Sequence, residues 1–210
     1  MNNFIKVKSI KSGARKAFKL TENYFYGKHK TSIAITGGEF GKEFAKFISK
    51  LENIQKKNLF LTDERITSIL TEQNSQLILK IFSKNNFLKN NNFYHFTQSF
   101  HRNLILKKNI NDIFDVCFLS LGEDGHLAGH FENSKNIDEL FCITRNAIKE
   151  PKKRISFRID WLFSSKIIII AVFGTKKERA FKDLIEGKGI HSKDYKKSIN
   201  RIVFISDLKI

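Results

Sequence analysis

The chain has 210 residues, 41% of them hydrophobic, which suffices to bury a substantial core in a single domain spanning residues 1–210. Its 38 basic residues against 21 acidic ones give a formal charge of +17, a field that attracts anionic ligands in general. The lysines are scattered in ones and twos with no Arg-rich or aromatic-basic interleaved motif, which argues against a nucleic-acid partner, and no segment is apolar for long enough to span a bilayer.

In chain order, the amino terminus is interrupted by Lys6, Lys8, Lys11, Arg15 and Lys16 and so lacks the apolar stretch of a secretory signal. Ser32 to Thr36 reads as a short apolar strand ended by Gly37-Gly38, after which Phe40, Phe44, Phe47, Ile48 and Leu51 recur at helical spacing. Asn58 to Thr62 repeats the strand signal and leads into Asp63-Glu64-Arg65, followed by the helical period of Ile69 to Phe82. Phe93 to Phe96 predicts a strand, Ser99 to Lys108 a helix, and Asp115 to Leu121 a buried parallel strand. Leu140 to Thr144, Ile155 to Ile159, Ile167 to Phe173 and Arg201 to Ile205 add strands, and Lys176 to Glu186 predicts a helix closed by Gly187. This alternation implies an α/β fold: a doubly wound, mostly parallel Rossmann-like sheet with helices on both faces. Cys117 and Cys142 sit inside apolar strand-like runs, which favours buried free thiols in a reducing, cytoplasmic compartment over a disulfide or a metal site.

The carboxyl ends of the strands are where open α/β sheets place their sites, and several motifs fall there. After the central strand, Gly122-Glu123-Asp124-Gly125-His126 sets two acids and an imidazole between glycines that let the backbone turn sharply. An ordinary strand-to-helix loop is the plainer reading of the same residues. Thr36-Gly37-Gly38 opens a helix and reads either as a steric turn or as a holder of an anionic oxygen. Asp63-Glu64-Arg65 reads either as a helix cap by Asp63 or as an arginine grip on phosphate. Gly174-Thr175-Lys176-Lys177 places lysines at a helix start, against the dipole, which hints at an anionic ligand.

Taken with Leu127-Ala128 and Arg154-Ile155-Ser156, these motifs resemble 6-phosphogluconolactonases over almost the whole chain. Glucosamine-6-phosphate deaminases share the Gly-x-Asp-Gly-His element, but their Asn-Glu-Pro stretch after the histidine is absent. The resemblance implies hydrolysis of 6-phosphoglucono-1,5-lactone to 6-phosphogluconate in the oxidative pentose phosphate pathway, with no metal and no cofactor. It implies His126 as the base, Asp124 as the group that orients it, and Gly37, Gly38, Arg65, Arg154 and Lys177 as holders of the phosphate or sugar. The expected partner is a small-molecule sugar phosphate, with no nucleic acid and no membrane, for a monomer or weak homo-oligomer. Two departures stand out. The double glycine is followed by Glu39 and Phe40 where the family has Ser or Thr and then Pro, and a carboxylate beside a phosphate is expected to cost affinity. Leu127 to Glu132 lacks the family's hydroxyls and offers His130 as a spare imidazole. A deaminase-type enzyme, a non-catalytic sugar-phosphate binder and a basic nucleic-acid protein are the alternatives.

Overall fold

Short apolar runs bounded by glycine and polar residues form the strands, and the alternation of their side chains builds two separate cores. The computed structural model describes residues 3–27, 30–52, 54, 56–97 and 113–208. The helix expected over 99–108 lies outside them. Strands β1 (Phe4–Lys6), β2 (Ser32–Ile35), β3 (Asn58–Leu61), β5 (Asn92–Tyr94), β6 (Val116–Ser120), β10 (Ile167–Val172) and β11 (Ile202–Ser206) form a seven-stranded sheet in the order β1-β11-β10-β6-β2-β3-β5. Every neighbouring pair in it is parallel. Strand β6 lies at its centre, with β2, β3 and β5 laid outward on one side and β10, β11 and β1 on the other, so the order of addition reverses between β2 and β6.

Successive strand residues feed opposite faces. Ile33, Ile35, Val116, Phe118, Ile169 and Ala171 pack under α1 (Ile10–Tyr26), α2 (Gly38–Ile48) and α3 (Asn74–Lys84). Ala34, Cys117, Leu119, Ile168 and Ile170 pack under α4 (Ile159–Phe163), α5 (Glu178–Ile185) and α6 (Ser192–Ser198). Helices therefore cover both faces, as the sequence pattern predicts. The lysine-rich amino terminus carries α1, which its apolar content does not announce. Ser9 and Ser12 form a reciprocal capping box, and the buried stripe is made largely of small residues, Gly13, Ala14, Ala17 and Thr21, completed by Phe18 and Phe25. Cys117 and Cys142 are buried free thiols, and burial pushes the Cys142 thiol up to about 12.

The strands expected at 140–144 and 155–159 do not join the parallel sheet. With β4 (Asp63–Arg65) and β7 (Lys135–Asn136), β8 (Phe141–Thr144) and β9 (Arg154–Phe157) form a separate antiparallel sheet in the order β4-β9-β8-β7. The reason is chain length: the segment between Thr144 and Arg154 contains no helix and is too short for a parallel crossover.

Asp63-Glu64-Arg65 likewise does not open a helix. It is β4, and the following helix starts later, at Asn74, after a 3₁₀ turn at Leu70–Glu72. Glu64 rather than Asp63 takes the capping role. Its carboxylate accepts the amide N–H groups of Asn74 at 2.7 Å, Ser75 at 2.9 Å and Arg65 at 2.7 Å. Burial pushes this carboxyl up and the amide donors pull it back, leaving it above its ordinary value. Glu64→Ala strands two N–H groups at the start of α3 and that of Arg65 in β4, and is expected to cost about 3 kcal/mol. Urea unfolding reads this as a lower midpoint at constant slope; a loss below about 1 kcal/mol would mean that α3 is held by its apolar face alone.

Candidate active site

The reversal between β2 and β6 leaves a crevice at the carboxyl edge of the parallel sheet, and the small antiparallel sheet supplies one of its walls. The cleft measures about 510 Å³. All seven residues selected from the sequence line it. Gly37 and Gly38 come from the turn after β2, Arg65 from β4, and Asp124 and His126 from the loop after β6. Arg154 comes from β9, and Lys177 from the 3₁₀ turn after β10.

Backbone bonds shape the loop after β6. The Gly122 N–H donates to the His126 carbonyl at 2.8 Å, and the Gly125 N–H donates to the Gly122 carbonyl at 3.2 Å. The turn brings Asp124 Oδ1 into hydrogen-bond contact with His126 Nδ1. Gly122 makes this possible, because a Cβ there would lie 2.1 Å from Nδ1 and 2.7 Å from Oδ1. Phe131 stacks on the imidazole with centroids 4.3 Å apart at 20°. A carboxylate can only accept, so Nδ1 carries the proton, and Nε2 meets no hydrogen-bond partner among the described residues, on a ring that is 29% exposed. Burial pushes the Asp124 carboxyl up, but the His126 hydrogen bond and charge outweigh it and hold the group below its ordinary value.

Cationic groups surround this pair. Helix α2 starts at Gly38 with no side-chain cap, so the N–H groups of its first turn face the cleft at the positive end of the helix dipole. The Asn74 side chain sits where a Gly37 Cβ would be, 2.2 Å away, so only glycine fits that turn. Glu39 also lines the cleft; its side chain is 73% exposed and its carboxylate stands 3.7 Å from Lys42 Nζ, which offsets part of its charge. Arg65 makes a long contact, 3.4 Å, to the Glu72 carbonyl. The Arg154 guanidinium donates to the carbonyls of Lys149 at 3.0 Å and Lys153 at 3.3 Å, so part of its fork fastens its own loop. Burial and the neighbouring Arg65 lower its proton affinity. Lys177 Nζ lies 3.4 Å from Ser120 Oγ, and burial lowers its pKa against the raising influence of Glu123.

The cleft also holds Asp63, expected from the sequence as a helix cap, and Lys149, which the sequence did not mark. Asp63 is buried, accepts from Thr62 Oγ1 at 2.8 Å and Asn74 Nδ2 at 3.2 Å, and is pushed up by burial within the field of His126, Arg154 and Arg65. Lys149 pairs with Glu123 at 3.2 Å across the rim. Neither lysine spacing nor local pattern marks Lys149, because the antiparallel sheet brings it there. His130, the spare imidazole, is not among the cleft-lining residues. Its ring packs edge-on against His191 with centroids 5.2 Å apart. Among the described residues no cluster of three or more His, Cys, Asp or Glu side chains is placed to hold a metal ion, and no helix is long and apolar enough to cross a membrane.

The parallel sheet, the imidazole–carboxylate pair at its central strand and the cationic cleft beside it define an α/β protein with a site suited to a small anionic ligand. The chain matches the family model for glucosamine-6-phosphate isomerases/6-phosphogluconolactonase over residues 6–196 and belongs to that family. It is 30% identical over 171 residues to 6-phosphogluconolactonase of Borreliella burgdorferi, covering 74% of this chain and 73% of that protein. The structure of a 6-phosphogluconolactonase from Shewanella baltica superposes with a TM-score of 0.78 at 16% identity, covering 98% of this chain and 97% of the other. A monomeric glucosamine-6-phosphate deaminase superposes with a TM-score of 0.74 at 17% identity, covering 98% and 97%, so the two activities share the fold.

One buried group gives the family fold of this chain a pH signature. His191 is 1% exposed, and burial, reinforced by His130, pushes its pKa from 6.5 to about 3. The unfolded chain takes up that proton near pH 6.5 and the folded one only near 3, so stability is complete above pH 6.5 and falls on acidification through that window. The slope from this group is at most about 1.4 kcal/mol per pH unit. Urea unfolding between pH 7 and pH 4 should show a shallower acid slope in His191→Gln than in the wild type.

Proposed function

We propose that the protein is a hydrolase that opens 6-phospho-D-glucono-1,5-lactone to 6-phospho-D-gluconate. The observation that carries this reading is the Asp124–His126 pair on the cleft wall, with Nε2 free, surrounded by cations and an uncapped helix end. The 6-phosphogluconolactonase relatives support it.

A lactone carbonyl is already electrophilic, so the reaction needs a base for water, donors for the tetrahedral oxyanion and an acid for the departing ring oxygen. His126 Nε2 takes a proton from water as the hydroxide oxygen bonds to the carbonyl carbon. The tetrahedral intermediate then collapses, the bond from that carbon to the ring oxygen breaks, and the imidazolium returns the proton to the ring oxygen. Asp124 holds Nδ1–H, fixing the tautomer and stabilising the imidazolium while it lasts, as a triad's acid does. Arg65, Lys177 and the amides of the Gly37–Gly38 turn hold the phosphate, with help from Arg154. That remote binding energy orients the lactone for attack. No step requires a metal or a cofactor. The reading places the protein in the oxidative pentose phosphate pathway and in the cytoplasm, which the buried free thiols favour, with a small sugar phosphate as its partner.

The test is hydrolysis of freshly generated 6-phosphogluconolactone by the purified protein, corrected for spontaneous opening; a rate equal to buffer would sink the proposal. His126→Ala should lower kcat by at least about 100-fold while leaving the unfolding midpoint and 6-phosphogluconate binding nearly unchanged. Lys177→Met should act the other way, raising KM several-fold with a smaller change in kcat. Glucosamine 6-phosphate as the alternative substrate separates the deaminase reading, which requires ammonia release.

A further inference from the structure

The ring of His191 is buried, lies far from His126 in sequence and takes no part in the chemistry described above, yet its Nε2 accepts the N–H of Leu127 at 3.3 Å. That N–H and the His126 carbonyl belong to the same peptide group, and the carbonyl accepts the Gly122 N–H at 2.8 Å. The His126–Leu127 peptide is therefore held at both ends, from the turn just after β6 on one side and from the residue before α6 on the other. Rotation of this peptide would swing the Cα–Cβ bond of His126, and with it the imidazole, away from Asp124. The backbone continues into Ala128 at φ 52°, a left-handed conformation that a non-glycine residue holds only where its surroundings impose it.

We propose that His191 is a positioning residue that aims the His126 imidazole by clamping the His126–Leu127 peptide. The inference rests on the reading of His126 as the base. An acceptor is needed at this place because Leu127 is fully buried and its N–H would otherwise lose its partner. Imidazole suits the task only while neutral, since a protonated ring offers two donors and no lone pair. The site meets that condition by burying the ring, and the edge-on His130 ring packs against it.

The test compares His191→Leu, which fills the space without an acceptor, with His191→Gln, whose Oε1 restores one near the position of Nε2. In the lactonase assay His191→Leu should lower kcat about 10-fold or more at little change in KM, and His191→Gln should recover most of it. Unfolding midpoints are measured on both, because a merely structural role would lower stability without changing kcat per folded molecule. An activity-independent readout guards against failure of the lactonase reading. The ring nitrogen resonances of His126 report its tautomer and its bond to Asp124 whatever the substrate is. In His191→Leu the Nδ1–H population of His126 should fall toward that in Asp124→Asn; in His191→Gln it should stay as in the wild type. An unchanged His126 spectrum in folded His191→Leu, or a loss of kcat that His191→Gln does not restore, would overturn the proposal. If His191→Leu does not fold, His191→Gln and His191→Met carry the same comparison.

Discussion

The architecture depends on one constraint: β6 must be buried on both faces at the point where the sheet changes its direction of growth. Val116 and Phe118 face one core, Cys117 and Leu119 the other, and all four are excluded from solvent. A strand so enclosed cannot shift register by one residue without exchanging its entire side-chain sets between two differently shaped cores. The end of β6 is consequently fixed in register where it reaches the crevice. The turns after β2 and β10 reach the same edge from either side because those strands are the neighbours of β6. The convergence of distant motifs on one cleft is a consequence of strand order.

Electrostatics follow from that placement. Four cations, Arg65, Arg154, Lys149 and Lys177, and a helix amino terminus surround a cleft that also carries the carboxylates of Asp63, Glu123, Asp124 and, paired loosely with Lys42, Glu39. Each carboxylate is already occupied: Asp124 by His126, Asp63 by Thr62 and Asn74, Glu123 by Lys149 at the rim. The lowered proton affinities of Arg154 and Lys177 have burial as their first cause, and such cations gain more from an anion entering the cleft than exposed lysines elsewhere on the chain would. The overall charge of +17 adds a long-range, salt-screened field to this local one.

The parallel sheet was legible because apolar runs such as 167–173 and 115–121 have strand length and end in glycine or polar residues. Most cleft residues were legible because they follow such a run; Arg154, which opens β9, was marked only by the family resemblance. What escaped has physical reasons. Helix α1 buries Gly13, Ala14 and Ala17, small residues that contribute little to an apolar count. Strand β4 is written in charged letters, Asp63-Glu64-Arg65, since its side chains serve a cap and a cleft rather than a core. The antiparallel sheet and the contribution of Lys149 arise from chain length between β8 and β9, which composition does not encode. His191 lies 64 residues beyond the backbone it supports, and its signal is only a single histidine in a polar turn.

The altered turn at Glu39 and Phe40 bears most directly on whether the chain retains an anion site there. Phe40 is 3% exposed and stacks between Phe44 and Phe173, so it belongs mainly to the core beneath α2 and meets the cleft only at its floor. Glu39 lies at the exposed mouth of the cleft within 3.7 Å of Lys42, which neutralises in part the charge that would oppose an anion. What α2 offers at its start is therefore backbone N–H groups, and those donors are independent of which side chains follow Gly38. The change removes a hydroxyl from the family's turn while keeping the glycine pair, the uncapped helix end and the Asn74 side chain that fixes Gly37 in place. In the lactonase reading, affinity for the phosphate then leans harder on Arg65 and Lys177 than in relatives with a hydroxyl at position 39. The helix end still contributes, because its dipole is set by the eleven residues of α2 as a whole rather than by the one residue that departs.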